Sequence, residues 1–285
     1  MLKKIVYFSI FGFLISCGSN EEKQSIIESE EKIQSSPSSI EYNIPSPAEQ
    51  LKLFSKLNLE KNVKLLNSAE NAVNYSTPES KALNFGVYAS DISYLSSYKD
   101  NSRFLDYFNK MERMGNDIGV SQVFSKELTN QVQKWEENPD SLFVISNEVY
   151  DKTFSKLVEI NKGKELSLML IGGWVESMYL IVNSKSTYEK DAKVNSMLAD
   201  QKLVVENLID FLIDYQDDET VHAYLDEISS VLDIFNSMDC SSSETKVNKQ
   251  KGKITLEGGQ TCKLTEKNFT DLKSKINQLR TKIVK

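Results

Sequence analysis

The chain has 285 residues, with 34 Lys and Arg against 41 Asp and Glu, one histidine and a formal net charge of −7. Acidity on this scale argues against a general nucleic-acid binder, and any serine–histidine–aspartate triad or histidine-containing zinc site has only His222 to build on. The 11 glycines form no phosphate-cradling motif, which disfavours kinases, nucleotide-dependent enzymes and dinucleotide oxidoreductases.

The chain opens Met1-Leu2-Lys3-Lys4, continues through an apolar run from Ile5 to Ile15, and reaches Leu14-Ile15-Ser16-Cys17. A basic start, a short apolar core and a small residue before the cut describe a secretory signal over residues 1–16, too short to span a bilayer, which takes about 20 residues. The last four residues resemble the lipobox of bacterial lipoproteins. That resemblance implies that the Cys17 thiol is acylated, palmitate being one of the chains, and that cleavage leaves Cys17 first. Several acyl chains would hold the protein on a membrane almost permanently. Gly18 rather than aspartate follows the cysteine, which favours the outer membrane, and Glu21-Glu22 fits either an export tag or ordinary tether composition. Loss of Lys3 and Lys4 would take the formal charge to 32 minus 41, or −9.

From Gly18 to Ile44 there are six glutamates, two lysines and no large apolar cluster. Such a stretch cannot bury enough surface to offset the entropy of ordering, so 17–44 is expected to be a lipidated cysteine and a disordered tether, with a reach on the order of 30 Å.

Residues 45–285 are expected to form one helical domain. Ser46-Pro47-Ala48-Glu49 is a capping box with proline at the first helical position, followed by Leu51, Phe54 and Leu57 at helical spacing. Thr77-Pro78 starts a helix through Tyr98, and Asn101 or Ser102 opens the next, which stops near Gly115 to Gly119. Ser121 is read as the cap of a helix ending at Pro139, and further helices are expected at 140–160, 164–184, 188–216 and 219–238. Thr245–Val247 and Lys253–Leu256 flank a polar turn, as in a β-hairpin at about 243–258, before a last helix at 266–283. The fold class is therefore all-α, an antiparallel helical-hairpin array or bundle with a small β-hairpin insert near the C-terminus.

Within this body Tyr88, Asp91, Leu95 and Tyr98 share one helical face, and Glu176 lies in the apolar run Leu166–Val182 with Trp174 and Gly172-Gly173. If the two helices pack together, Asp91 and Glu176 can approach and act as an acid and base pair of glycosidase type; the commoner fate of such acids is an interior hydrogen bond. Tyr88, Asp91, Tyr94, Trp174 and Glu176 form the candidate groove for a contact surface. The glycine pair answers a local geometric need, either a second helix coming close or space beside Trp174. His222 sits between Asp218 and Asp226 and reads as a solvated histidine, while the acids around it lack calcium-loop spacing, so no metal or cofactor is expected. Cys240 and Cys262 bracket the hairpin and are an even pair suited to a disulfide in an oxidising envelope compartment. Residues 200–239 hold 11 acids and one lysine, while 246–285 hold 11 basic residues and three acids. The two segments either neutralise each other or leave a basic end for lipopolysaccharide phosphates.

The segments Ile44-Pro45-Ser46-Pro47-Ala48-Glu49-Gln50, Lys81 to Asp91 and Gly172-Gly173-Trp174-Val175-Glu176 resemble a group of uncharacterised helical outer-membrane lipoproteins of Gram-negative bacteria. The likeness covers about residues 44–240 and implies a lipid-anchored envelope protein with no assigned activity or site. The expectation is a non-enzymatic binding or scaffolding component whose partners are the membrane, through its lipid, and an envelope protein or glycan, but not nucleic acid. The alternative is a carbohydrate-binding or carbohydrate-cleaving surface lipoprotein using Asp91 and Glu176.

Overall fold

The structure, a computed structural model, describes residues 44–57, 60–184, 187–189, 193–250 and 253–285. The expected signal segment, Cys17 and the expected tether as far as residue 43 lie outside the described residues. The protein is all-α with a small two-stranded antiparallel sheet near its C-terminus. The described helices are α1 (Pro47–Ser55), α2 (Pro78–Ser97), α3 (Phe104–Ile118), α4 (Lys126–Lys134), α5 (Pro139–Glu159), α6 (Gly163–Asn183), α7 (Lys193–Ala199), α8 (Gln201–Ile213), α9 (Glu219–Asn236) and α10 (Glu266–Ile283). Strands β1 (Asp239–Gln250) and β2 (Lys253–Lys263) precede α10.

Helix starts follow from local side chains. The Ser46 backbone N–H donates to Glu49 Oε2 at 2.8 Å and the Glu49 N–H to Ser46 Oγ at 3.2 Å, the reciprocal bonds of a capping box. Thr77 and Ser80 do the same for α2. Two starts shift from their expected positions. Ser102 donates its N–H and its hydroxyl to Asp100 Oδ1 at 3.1 and 2.6 Å, so Asp100 closes that turn and α3 begins at Phe104 without a side-chain cap. Ser121 opens a single 3-10 turn, Ser121–Val123, and Ser125 caps α4 through the Leu128 N–H at 3.2 Å. The Phe124 ring between these serines is buried against Phe85 and Phe108, which fixes the turn ahead of α4. The helix expected at 188–216 is two, α7 and α8, separated by a turn at Asp200. Two 3-10 turns, Val63–Leu65 and Ala69–Asn74, carry the chain from α1 toward α2 and have no apolar period to announce them.

Helices α2 and α6 are buried on every side, α2 from Ala82 to Ser96 and α6 from Leu166 to Val182 apart from Tyr179. They form the centre, and α1, α3, α5 and α10 pack on one or both of them. By length and hydropathy α6 could cross a membrane, but 89% of its apolar window is buried inside the fold. Their contacts advance together along both chains, from Glu79 with Lys164 (2.8 Å) to Ser90 with Gly173 and Ser177, so the pair runs in the same sense.

The approach is backbone to backbone. A methyl group on Gly86 would collide with the Met169 carbonyl oxygen and the Gly173 nitrogen, and one on Gly172 with the Leu83 carbonyl. Ser90 Oγ completes the contact by donating to the Gly173 carbonyl at 2.8 Å. Of the two readings of the glycine pair, close packing is the one the geometry supports.

The hairpin is longer than the expected 243–258, because the ladder continues through serines with no alternating pattern as far as Asp239 opposite Lys263, with a register slip between Ser243 and Lys246. Cys240 and Cys262 face each other across it and are joined by a disulfide. The opposite charges of the last third meet in part, since Glu227 on α9 accepts from Lys275 at 2.6 Å and Lys282 at 3.2 Å, both on α10.

Alanine is the better helix former by about 1 kcal/mol, so Gly172→Ala would stabilise an unobstructed helix. Here overpacking outweighs that gain, and we expect a net loss of about 1–3 kcal/mol in urea unfolding.

Candidate functional site

The close approach of α2 and α6 brings Asp91 and Glu176 side by side, and both are fully buried. Their charge is met from α10. Arg280 Nε donates to Glu176 Oε2 at 3.0 Å and its Nη2 to Oε1 at 3.3 Å, while Nη2 also reaches the Leu65 carbonyl at 3.3 Å. The guanidinium stacks on Tyr179, 4.6 Å from the ring centre.

Two buried carboxylates beside one guanidinium cannot both be ionised cheaply. Burial, and then the negative charge of Glu176, hold the Asp91 carboxyl well above its ordinary range. Burial also raises Glu176, with Arg280 pulling the other way through charge and hydrogen bonds. Burial tends to lower the Arg280 value, but Glu176 and Asp91 outweigh it and the net direction is up. The two acids therefore titrate as a pair sharing one proton. That proton belongs on Asp91: its Oδ2 accepts the Asn67 N–H at 3.2 Å, whereas its Oδ1 meets no donor among the described residues and is free to carry the O–H toward Glu176. Neutral Asp91, ionised Glu176 and Arg280 then sum to zero charge.

Around this centre the 62–75 segment and the C-terminal end of α10 are tied to α2. Asn67 Nδ2 donates to Tyr75 Oη at 2.9 Å, Asn84 Nδ2 to the Ile283 carbonyl at 3.0 Å, and Tyr75 Oη to the Val284 carbonyl at 3.3 Å. Tyr88 Oη donates to the Ser68 carbonyl at 2.9 Å, and Tyr94 Oη accepts the Asn62 N–H at 2.8 Å. Burial raises the pKa of both Tyr75 and Tyr88.

The groove expected from Tyr88, Asp91, Tyr94, Trp174 and Glu176 is corrected by this arrangement. All five are buried, none more than 3% exposed, so they form interior and not a contact surface. Trp174 and Glu176 are two residues apart, about 200° around α6, and cannot line one face. The carboxylates do meet, but both are fully buried, with Glu176 held by Arg280. Sequence reasoning did not find Arg280, Asn67 or Asn84. A usable signal existed for the first: a buried acid needs a cation, and Arg280 is one of three arginines in the chain and lies in the apolar pattern Leu272, Ile276, Leu279 and Ile283.

His222 is exposed, with Nε2 4.0 Å from Asp226 Oδ2. Among the described residues no group of three or more His, Cys, Asp or Glu side chains could hold a metal ion. No family model, curated protein or solved structure matches the chain.

In the fold Asp91 keeps a proton that it loses on unfolding above its ordinary value of 3.8. Its contribution to stability is complete below that value and is lost as pH rises toward the folded-state value. Asp91→Asn keeps the shape and stays neutral, so the slope of unfolding free energy from about pH 5 to pH 8 should flatten. Arg280→Met leaves Glu176 without its cation and should cost about 3–5 kcal/mol at neutral pH, less in acid where Glu176 protonates.

Proposed function

We propose that the chain is a lipid-anchored envelope protein, held at the outer membrane through Cys17, whose helical body is a non-enzymatic binding or scaffolding component. The observation that carries this reading is the opening of the chain, where Lys3-Lys4, the apolar run Ile5 to Ile15 and Leu14-Ile15-Ser16-Cys17 stand in the order that export and lipidation require. The body supports the non-enzymatic half. The two acids best suited to acid–base work are fully buried, Glu176 paired with Arg280 and Asp91 holding a proton, and the single histidine is an exposed helix residue. The disulfide between Cys240 and Cys262 suits an oxidising compartment. Asp91 and Glu176, the acids that glycan cleavage would use, serve the core instead.

Cells fed labelled palmitate should incorporate label into the wild-type chain and not into Cys17→Ala, and the wild type should sediment with outer-membrane fractions. Equal sedimentation of an unlabelled Cys17→Ala chain, or a wild type found free of membranes, would overturn the anchoring.

A further inference from the structure

Away from the buried cluster, one concave feature gathers three cations in its walls. A cavity of about 230 Å³ opens where the 69–74 turn, the start of α2 and one face of α3 meet. Val73, Tyr75, Lys81, Lys110, Arg113 and Asp117 are in its walls. Three of these, Lys110, Arg113 and Asp117, recur on one face of α3 through i, i+3 and i+7 spacing.

The acids within reach do not balance these cations. Lys81 pairs with Asp117 at 2.7 Å, which uses the one acid in the walls. Lys110 has only a long contact to Asp106, 3.9 Å away and outside the cavity lining. Among the described residues Arg113 makes no ion pair. Three cations against one acid leave a surplus of two positive charges in a chain whose net charge is −7. The Lys81 and Lys110 side chains are only 22% and 24% exposed, so their stems are held in the wall. A concave wall with a surplus of one sign focuses its field on whatever enters. On the rim Val73 is 75% exposed.

We propose that this cavity binds a phosphomonoester, with the planar Arg113 guanidinium gripping two phosphoryl oxygens and Lys110 and Lys81 adding point charges from either side. A phosphoryl group carries about −1.5 to −2 at neutral pH, which balances the surplus of two. The fork geometry of arginine fits two oxygens of one phosphoryl group. The volume is below the roughly 300–1,000 Å³ of sites for drug-sized ligands, so the site takes the phosphoryl group and a small part of what bears it. Its source is a soluble phosphorylated metabolite or the headgroup of an envelope lipid. The site stands whether or not the chain is anchored at Cys17.

The test is calorimetric titration of the purified full chain with inorganic phosphate, glucose 6-phosphate, glucose and succinate, and flotation with vesicles of phosphatidylcholine containing or lacking phosphatidic acid. We expect saturable binding of glucose 6-phosphate with Kd of about 1 mM or tighter and none of glucose. Arg113→Gln should weaken binding about tenfold, the loss of one charge-assisted contact, and Arg113→Lys should restore part of it. Asp117→Asn removes the one negative wall charge and should strengthen binding, an effect that mere support of the fold does not produce. Circular dichroism checks that each variant is folded. Binding of the soluble ester sensitive to Arg113→Gln identifies a metabolite site, and vesicle binding that needs phosphatidic acid with the same sensitivity identifies a headgroup site. Absence of both, equal binding of succinate, or indifference to Arg113→Gln and Asp117→Asn would overturn the proposal.

Discussion

Two helices reach backbone contact only where neither puts a Cβ between them, and Gly86 and Gly172 meet that condition at the centre of this fold. Much else follows from that contact. It sets Asp91 beside Glu176, both fully buried, so one acid must hold a proton and the other must find a cation. Arg280 is that cation, and bringing it in requires α10 to return across α6 with its last carbonyls within reach of Asn84 and Tyr75. The turns at 62–75 are then held by bonds to Asp91, Tyr88 and Tyr94. A polar seam thus runs through the core and fixes the position of the C-terminal helix.

The elements were legible wherever a cap or a period was written locally. Ser46-Pro47-Ala48-Glu49 and Thr77-Pro78 start helices where their side chains direct, whereas Pro139, expected to end the preceding helix, opens α5 behind an Asn138 cap and α4 stops at Lys134. Ser121 and Ser125 carry similar local chemistry, and only the burial of Phe124 chooses between them. The hairpin extends beyond its apolar residues because pairing across Cys240 and Cys262 carries the ladder through Ser241 to Ser243.

The site was half legible. Asp91 and Glu176 stood out because acids in apolar surroundings are costly, and their meeting followed from the glycines that let the helices close. What the sequence did not indicate was depth. Tyrosine, aspartate and tryptophan at helical spacing describe an open groove and a filled core equally well, and the outcome depended on α10, more than 100 residues away from Glu176 and carrying Arg280. Long-range pairing of one charge with another leaves no mark on local periodicity.

Asp91 and Glu176 are taken up by the core, and the cationic concavity at Lys81, Lys110 and Arg113 stands out against an acidic chain. For a protein proposed to sit at an envelope face this division has a simple consequence: the net charge repels anionic lipid at large while one concavity can still accept a single phosphoryl group.

Where the shared proton sits decides how the buried acids are held, and infrared spectroscopy reads it directly. A protonated buried carboxyl has a carbonyl stretch separate from that of carboxylates. The wild type at neutral pH should show such a band, shifting on transfer to heavy water, and Asp91→Asn should abolish it while remaining folded. A wild type without the band, or a band that survives Asp91→Asn, would contradict the assignment of the proton to Asp91.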